Sequence, residues 1–291
     1  MKKLSILFFI SISLSVSAQQ DHEWLKINRY KIAVLSDSLN ENSGLEFFNN
    51  RLFTINDGGN SSEIFEINRS TGKIDNVFKT NLINKDWEAI ASDSIHLYIG
   101  DFGNNVGARK DLMIYQIPLN DSLDLNSIKE IPFFYPEQQE FIPKNLNNDF
   151  DAEAMIVLNE KIHVFTKEWA SKSTTHYTID PAIAENQPAQ KVESYAIGYV
   201  VTDAAYFENK LYLIGYTKKA EVFITVFTES EPGIFFTEKP KKYYLGSSLS
   251  LGQIEGIAVD STGLYISGEE FNLPIIKVKP YLYFISLEKL K

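Results

Sequence analysis

The chain has no cysteine in 291 residues, so no disulfide can hold it and no lipid-modified cysteine can anchor it. Long apolar runs are also missing. The one near the start, Leu4 to Val16, is serine-rich and too short for the ~30 Å of a bilayer core. Lys2 and Lys3 before it and Val16-Ser17-Ala18 after it give the layout of a cleavable secretory signal over 1–18. The expectation is one mature domain over 19–291, extracytoplasmic and with no membrane insertion. Basic residues are outnumbered, 28 against 38 acidic, for a formal net charge of −10. That balance excludes nucleic acid as a partner, because its backbone is bound by clustered lysine and arginine, and it favours cations. The expected state is a monomer. No helical periodicity appears after the leader, which predicts an all-β fold.

What the chain does have is a repeat. Ser43-Gly-Leu45, Glu88-Ala-Ile90, Glu153-Ala-Met155, Thr202-Asp-Ala204 and Glu255-Gly-Ile257 each open a short apolar strand, at intervals of 45, 65, 49 and 53 residues. Those spacings are those of propeller blades. Second strands follow at Arg51–Ile55, His96–Ile99, Lys161–Phe165, Lys210–Ile214 and Gly263–Ile266, all β-branched and aromatic. Third and fourth strands can be placed in four of the units. The fifth has room for three strands only, while Trp24–Leu35 has no partner of its own. Joining them predicts a five-bladed β-propeller closed by its N-terminal strand, which also protects the sheet edge. A six-bladed ring is the alternative, if the long second interval hides strands around Pro132–Pro143.

The first strand of a blade lines the central channel, so Ser43, Glu88, Glu153, Thr202 and Glu255 should ring the axis. Three carboxylates facing one another raise each other's pKa at a cost in free energy. A hard divalent cation removes that cost, and an all-oxygen ligand set suits calcium. The competing account is a water-filled channel in which the carboxylates accept hydrogen bonds. No histidine falls on the repeated position, which argues against zinc. The second strands end beside this ring and supply Asp57, Asp101, Lys167, Glu168, Trp169, Tyr216 and Glu269. Asp57, Asp101 and Glu168 are the candidate acids or bases, with Lys167 as charge stabiliser. Trp169, Tyr216 and Glu269 are candidate ligand-binding residues.

The order Ser, Glu, Glu, hydroxyl, Glu resembles the central calcium site of the secreted calcium-activated nucleotidases, or apyrases. Ser43-Gly-Leu, Glu255-Gly-Ile and Leu97-Tyr-Ile-Gly100 are similar to motifs of that family. The resemblance implies a calcium ring. It does not extend to the nucleotide-binding residues: Asn56-Asp-Gly-Gly-Asn60 lacks the family's arginine, Asp101–Val106 stands in place of its lysine motif, and its paired arginines correspond at best to Lys167. Asn56-Asp-Gly-Gly-Asn60, Asp86-Trp-Glu-Ala-Ile90, Tyr98-Ile-Gly-Asp-Phe-Gly-Asn104 and Asp151-Ala-Glu-Ala-Met155 more closely resemble uncharacterised bacterial extracytoplasmic propellers, which implies the fold and no particular activity. Two functions follow as expectations: a calcium-stabilised propeller binding a small ligand at its mouth, or a calcium-dependent hydrolase or lyase, with apyrase chemistry the weaker version.

Overall fold

The computed structural model describes residues 22–119, 122–273 and 276–290. The signal-peptide reading over 1–18 lies outside them. The chain forms five four-stranded antiparallel blades in a ring, a five-bladed β-propeller. Blade one is Asn42–Phe48, Arg51–Asn56, Glu63–Ile67 and Ile74–Lys79. Blade two is Trp87–Ser92, His96–Asp101, Leu112–Pro118 and Lys129–Phe134. Blade three is Ala152–Leu158, Lys161–Thr166, Thr174–Ile179 and Gln190–Tyr195, and blade four is Val200–Phe207, Lys210–Tyr216, Glu221–Thr228 and Lys241–Ser247. The prolines after blade two's last strand lie in a long connection that forms no sixth blade.

Blade five takes Gln253–Val259, Gly263–Glu269 and Tyr281–Ser286 from the C-terminal end. Its outer strand is Lys31–Val34, which pairs antiparallel with Tyr281–Ser286, so the N-terminal segment closes the ring. That segment is not one strand. Glu23–Trp24 pairs in parallel with blade four's outer strand, and a 3-10 turn at Ile27–Tyr30 carries the chain across to blade five. The break follows from the change of partner sheet. Leu25 and Ile27 are buried in the core between blades four and five, and Leu35 and Leu39 in the core between five and one. Each fully buried side chain of this kind is worth about 1.5–3 kcal/mol, so the clasp is held by packing as well as by hydrogen bonds.

Five apolar clusters fill the spaces between neighbouring blades, one for each adjacent pair. The alternation of apolar residues along each strand therefore serves two interfaces, one on either face of the blade. The channel-lining first strands contact one another around the axis. Asp203 ties three of them, accepting hydrogen bonds from the backbone N–H groups of Leu45 at 3.2 Å, Ala204 at 2.8 Å and Ile257 at 2.6 Å.

Candidate functional site

The repeated acidic position owes its placement to a bulge. In four blades the extra, unpaired residue of the first strand is Glu88, Glu153, Thr202 or Glu255. A bulge re-aims the side chain it carries. In blade one the shift falls one residue later, at Gly44, just after Ser43.

The five positions do not behave alike. Ser43 Oγ donates to the Glu88 carbonyl at 2.8 Å, and Thr202 Oγ1 donates to the Ile254 carbonyl at 2.8 Å, so both hydroxyls stitch neighbouring blades together. Glu255 accepts from Gln253 Nε2 at 2.7 Å. Glu153 is ion-paired with Lys167, and each is 3% exposed. The sequence showed no cation within the repeat itself; this one arrives from the adjoining strand. Burial works against the Lys167 ammonium, but Glu153, Tyr216 and Glu255 outweigh it and hold its pKa well above the ordinary value. Its ammonium also lies 5.2 Å from the Trp169 ring and 5.5 Å from the Tyr216 ring, where a cation is attracted to the π face.

The Lys167 charge offsets the burial of Glu88 only in part, and Glu88 has no ion pair of its own among the described residues. It is 3% exposed, and its carboxylate, that of Asp57 and that of Asp86 each offer an oxygen within 4.8 Å of the others. Burial, then Glu153, Asp57 and Asp86, pushes the Glu88 carboxyl well above the usual carboxylate range. Burial and the Asp57 charge push Asp86 up to about 6. Asp57 is raised too, chiefly by burial. Two glycines make the cluster possible. A side chain at Gly58 would collide with the Asp86 carboxylate, and one at Gly103 with both Asp86 and Glu88.

These groups open into a cavity of about 640 Å³ at the mouth of the channel. Its lining includes Ser43, Asp57, Glu88, Glu153, Glu255 and Glu269, with Lys167 and Lys218 as its cations and Trp169, Tyr216 and Phe271 as its aromatic wall. Burial, then Glu255 and Asp57, pushes Glu269 up to about 9. Trp169 is pinned by its indole N–H, which donates to Asp151 at 3.0 Å and Asn105 at 3.2 Å.

Three of the sequence candidates do not line this cavity: Asp101, Glu168 and Thr202. Asp101 is fully buried, accepting from Arg109 at 2.8 Å and from the Asp86 N–H at 3.1 Å. Glu168 accepts from Thr166 at 2.9 Å and Thr175 at 2.6 Å, facing the third strand of its blade. Asp86 was not among the sequence candidates. The spacing Asp86-x-Glu88, repeated as Asp151-x-Glu153, was the available signal.

No protein-family model matches the chain, and no curated protein does. Among solved structures, a putative oxidoreductase (glucose dehydrogenase) from Thermus thermophilus is similar over 92% of this chain and 99% of that one, at 11% identity and TM-score 0.46. Hydrazine synthase of Kuenenia stuttgartiensis matches over 87% of this chain, which spans 64% of that one, at 12% identity and TM-score 0.43. A luciferin-regenerating enzyme matches at 12% identity and TM-score 0.43, covering 84% and 77% of the two chains. Likenesses this distant say nothing about activity. Among the described residues, no helix is long and apolar enough to cross a membrane.

Proposed function

We propose that the chain is an extracytoplasmic, monomeric propeller that holds a divalent cation, calcium, at the mouth of its channel and binds a small ligand there. One observation carries the reading: a mouth of about 640 Å³ lined by Asp57, Glu88, Glu153, Glu255 and Glu269 against Lys167 and Lys218. Buried charge in that excess must be protonated, paired or bound to metal, and all-oxygen donors suit calcium. The Trp169–Tyr216–Phe271 wall beside it supplies the apolar surface that small-ligand sites use. The test is a thermal-shift screen of the stripped protein against sugars, amino acids and phosphate esters, with and without calcium. At least one class should raise the melting temperature only when calcium is present; no calcium-dependent hit in any class counts against the reading.

The second reading is a calcium-dependent hydrolase or lyase. It is favoured by Asp57, which faces the cavity with its pKa raised by burial, as a general base requires. Lys167 would stabilise developing charge, although its ammonium is already engaged by Glu153. Nucleotide polyphosphates fit poorly, since no arginine lines the mouth among the described residues and charge-assisted contacts are what bind them. Phosphate release from nucleoside diphosphates should be absent. Turnover that disappears in Glu88→Ala would instead make the hydrolase the leading reading.

A further inference from the structure

The mouth divides into two acidic groups with opposite fates. Glu153 has the Lys167 ammonium against it, and Glu255 has the Gln253 amide. Beside them, Asp57, Asp86 and Glu88 face one another, each contributing an oxygen within 4.8 Å of the others. Asp57 accepts from the Gly58 N–H and also meets the Glu88 carboxyl. Glu88 is 3% exposed, and the side chain its carboxylate meets is Asp57, an acid like itself. The groups it faces are acids too, so this buried contact needs a shared proton or a cation to hold it.

From this geometry we infer a cation site off the propeller axis, between blades one and two, built from Asp57, Asp86 and Glu88 and taking calcium. It rests on the reading that the mouth takes a divalent cation, and it moves that cation away from the ring of five repeated positions. The ring offers little to a metal: its two hydroxyls donate to backbone carbonyls, and one glutamate is held by lysine. The off-axis group supplies hard oxygen donors only, with no nitrogen or sulfur ligand to favour zinc. Gly58 and Gly103 keep the space around Asp86 clear, since a methyl group at either would strike its carboxylate. Three carboxylates do not complete the six to eight contacts calcium takes. Asp57 and Glu88 line the cavity, so the remaining positions face the mouth, open to water or to an oxygen-bearing ligand.

The test is calorimetric titration of calcium chloride into the chelator-stripped full-length mature chain and three variants. The wild type should bind one equivalent. Asp86→Asn should weaken binding at least tenfold, and Glu255→Gln should leave it within about threefold. Gly103→Ala removes no ligand but fills the cradle, and should weaken binding as Asp86→Asn does; it also serves if the asparagine variant does not fold. Normal binding in both Asp86→Asn and Gly103→Ala, or an equal loss in Glu255→Gln, would overturn the off-axis assignment while leaving a calcium-binding mouth intact. A wild type that binds no calcium would overturn the functional reading itself, and this site with it.

Discussion

Blades two and three carry the same short motif and treat it in opposite ways. Each brings an Asp-x-Glu sequence to the head of its first strand: Asp86-Trp87-Glu88 in one, Asp151-Ala152-Glu153 in the other. In blade three both acids are answered. Asp151 accepts from the Asn104 N–H at 2.6 Å and the Trp169 indole at 3.0 Å, and Glu153 is paired with Lys167. In blade two no such donor among the described residues meets the carboxylate of Asp86 or Glu88, which face Asp57 instead. The pairing register explains the difference. Trp87 lies opposite Asp101 and Ala152 opposite Thr166, so Phe102 stands where blade three has Lys167. Phe102 packs edge-on against Phe133, 6.1 Å between ring centres, and offers no charge. A single residue after the second strand thus decides whether the blade's glutamate has a cation of its own beside it.

Removing the internal cation breaks the comparison most severely. Lys167→Met should destabilise the protein by about 3–5 kcal/mol, the usual cost of stripping one partner from a buried ion pair. Pairing it with Glu153→Gln should recover most of that loss, by denaturant melts. Full stability in the single variant would mean that blade three does not depend on its lysine.

Blade three also carries a vulnerability that blade two lacks. His163 is buried against His176 and the Leu158 carbonyl, beside Glu193 and Phe235, and burial followed by the His176 charge depresses its pKa to about 4. A histidine depressed below its unfolded value of about 6.5 contributes its full stability above that pH. The contribution is lost as pH falls from about 6.5 to about 4, by roughly 3 kcal/mol in all. His163→Gln should flatten this acid limb relative to the wild type. Identical pH profiles would show that the histidine does not set it.

The smallest effect should have the opposite sign. In chelator at pH 7, Asp86→Asn relieves repulsion in the uncompensated cluster and should stabilise the protein by about 1 kcal/mol. A destabilised variant would mean that blade two's acids are satisfied after all.

Much of this architecture could be read from the sequence. The repeated position marked all five first strands, and the missing outer strand of the last unit predicted the N-terminal closure. The split of that segment between blades four and five could not be read, because it depends on where Leu25, Ile27, Leu35 and Leu39 find their cores. The mouth was legible in composition and less so in direction. Along an extended segment side chains alternate, so Lys167 and Trp169 face the cavity while Glu168 turns to Thr175. Asp101 turns instead to Arg109, a residue supplied by the following loop. Asp86 escaped notice because its importance comes from Asp57, a residue 29 positions earlier in another blade, and from the two glycines that let them approach.

The most direct measurement is the melting temperature of chelator-stripped protein, confirmed free of metal, with and without calcium. Ligand bound only by the native state adds about 2.7 kcal/mol at a hundredfold excess over Kd, which for a domain of this size corresponds to a rise of roughly 5–10 °C. The account predicts that rise, and its reversal on adding chelator. Superimposed melting curves would contradict it, leaving the carboxylates of the mouth to share protons and water alone.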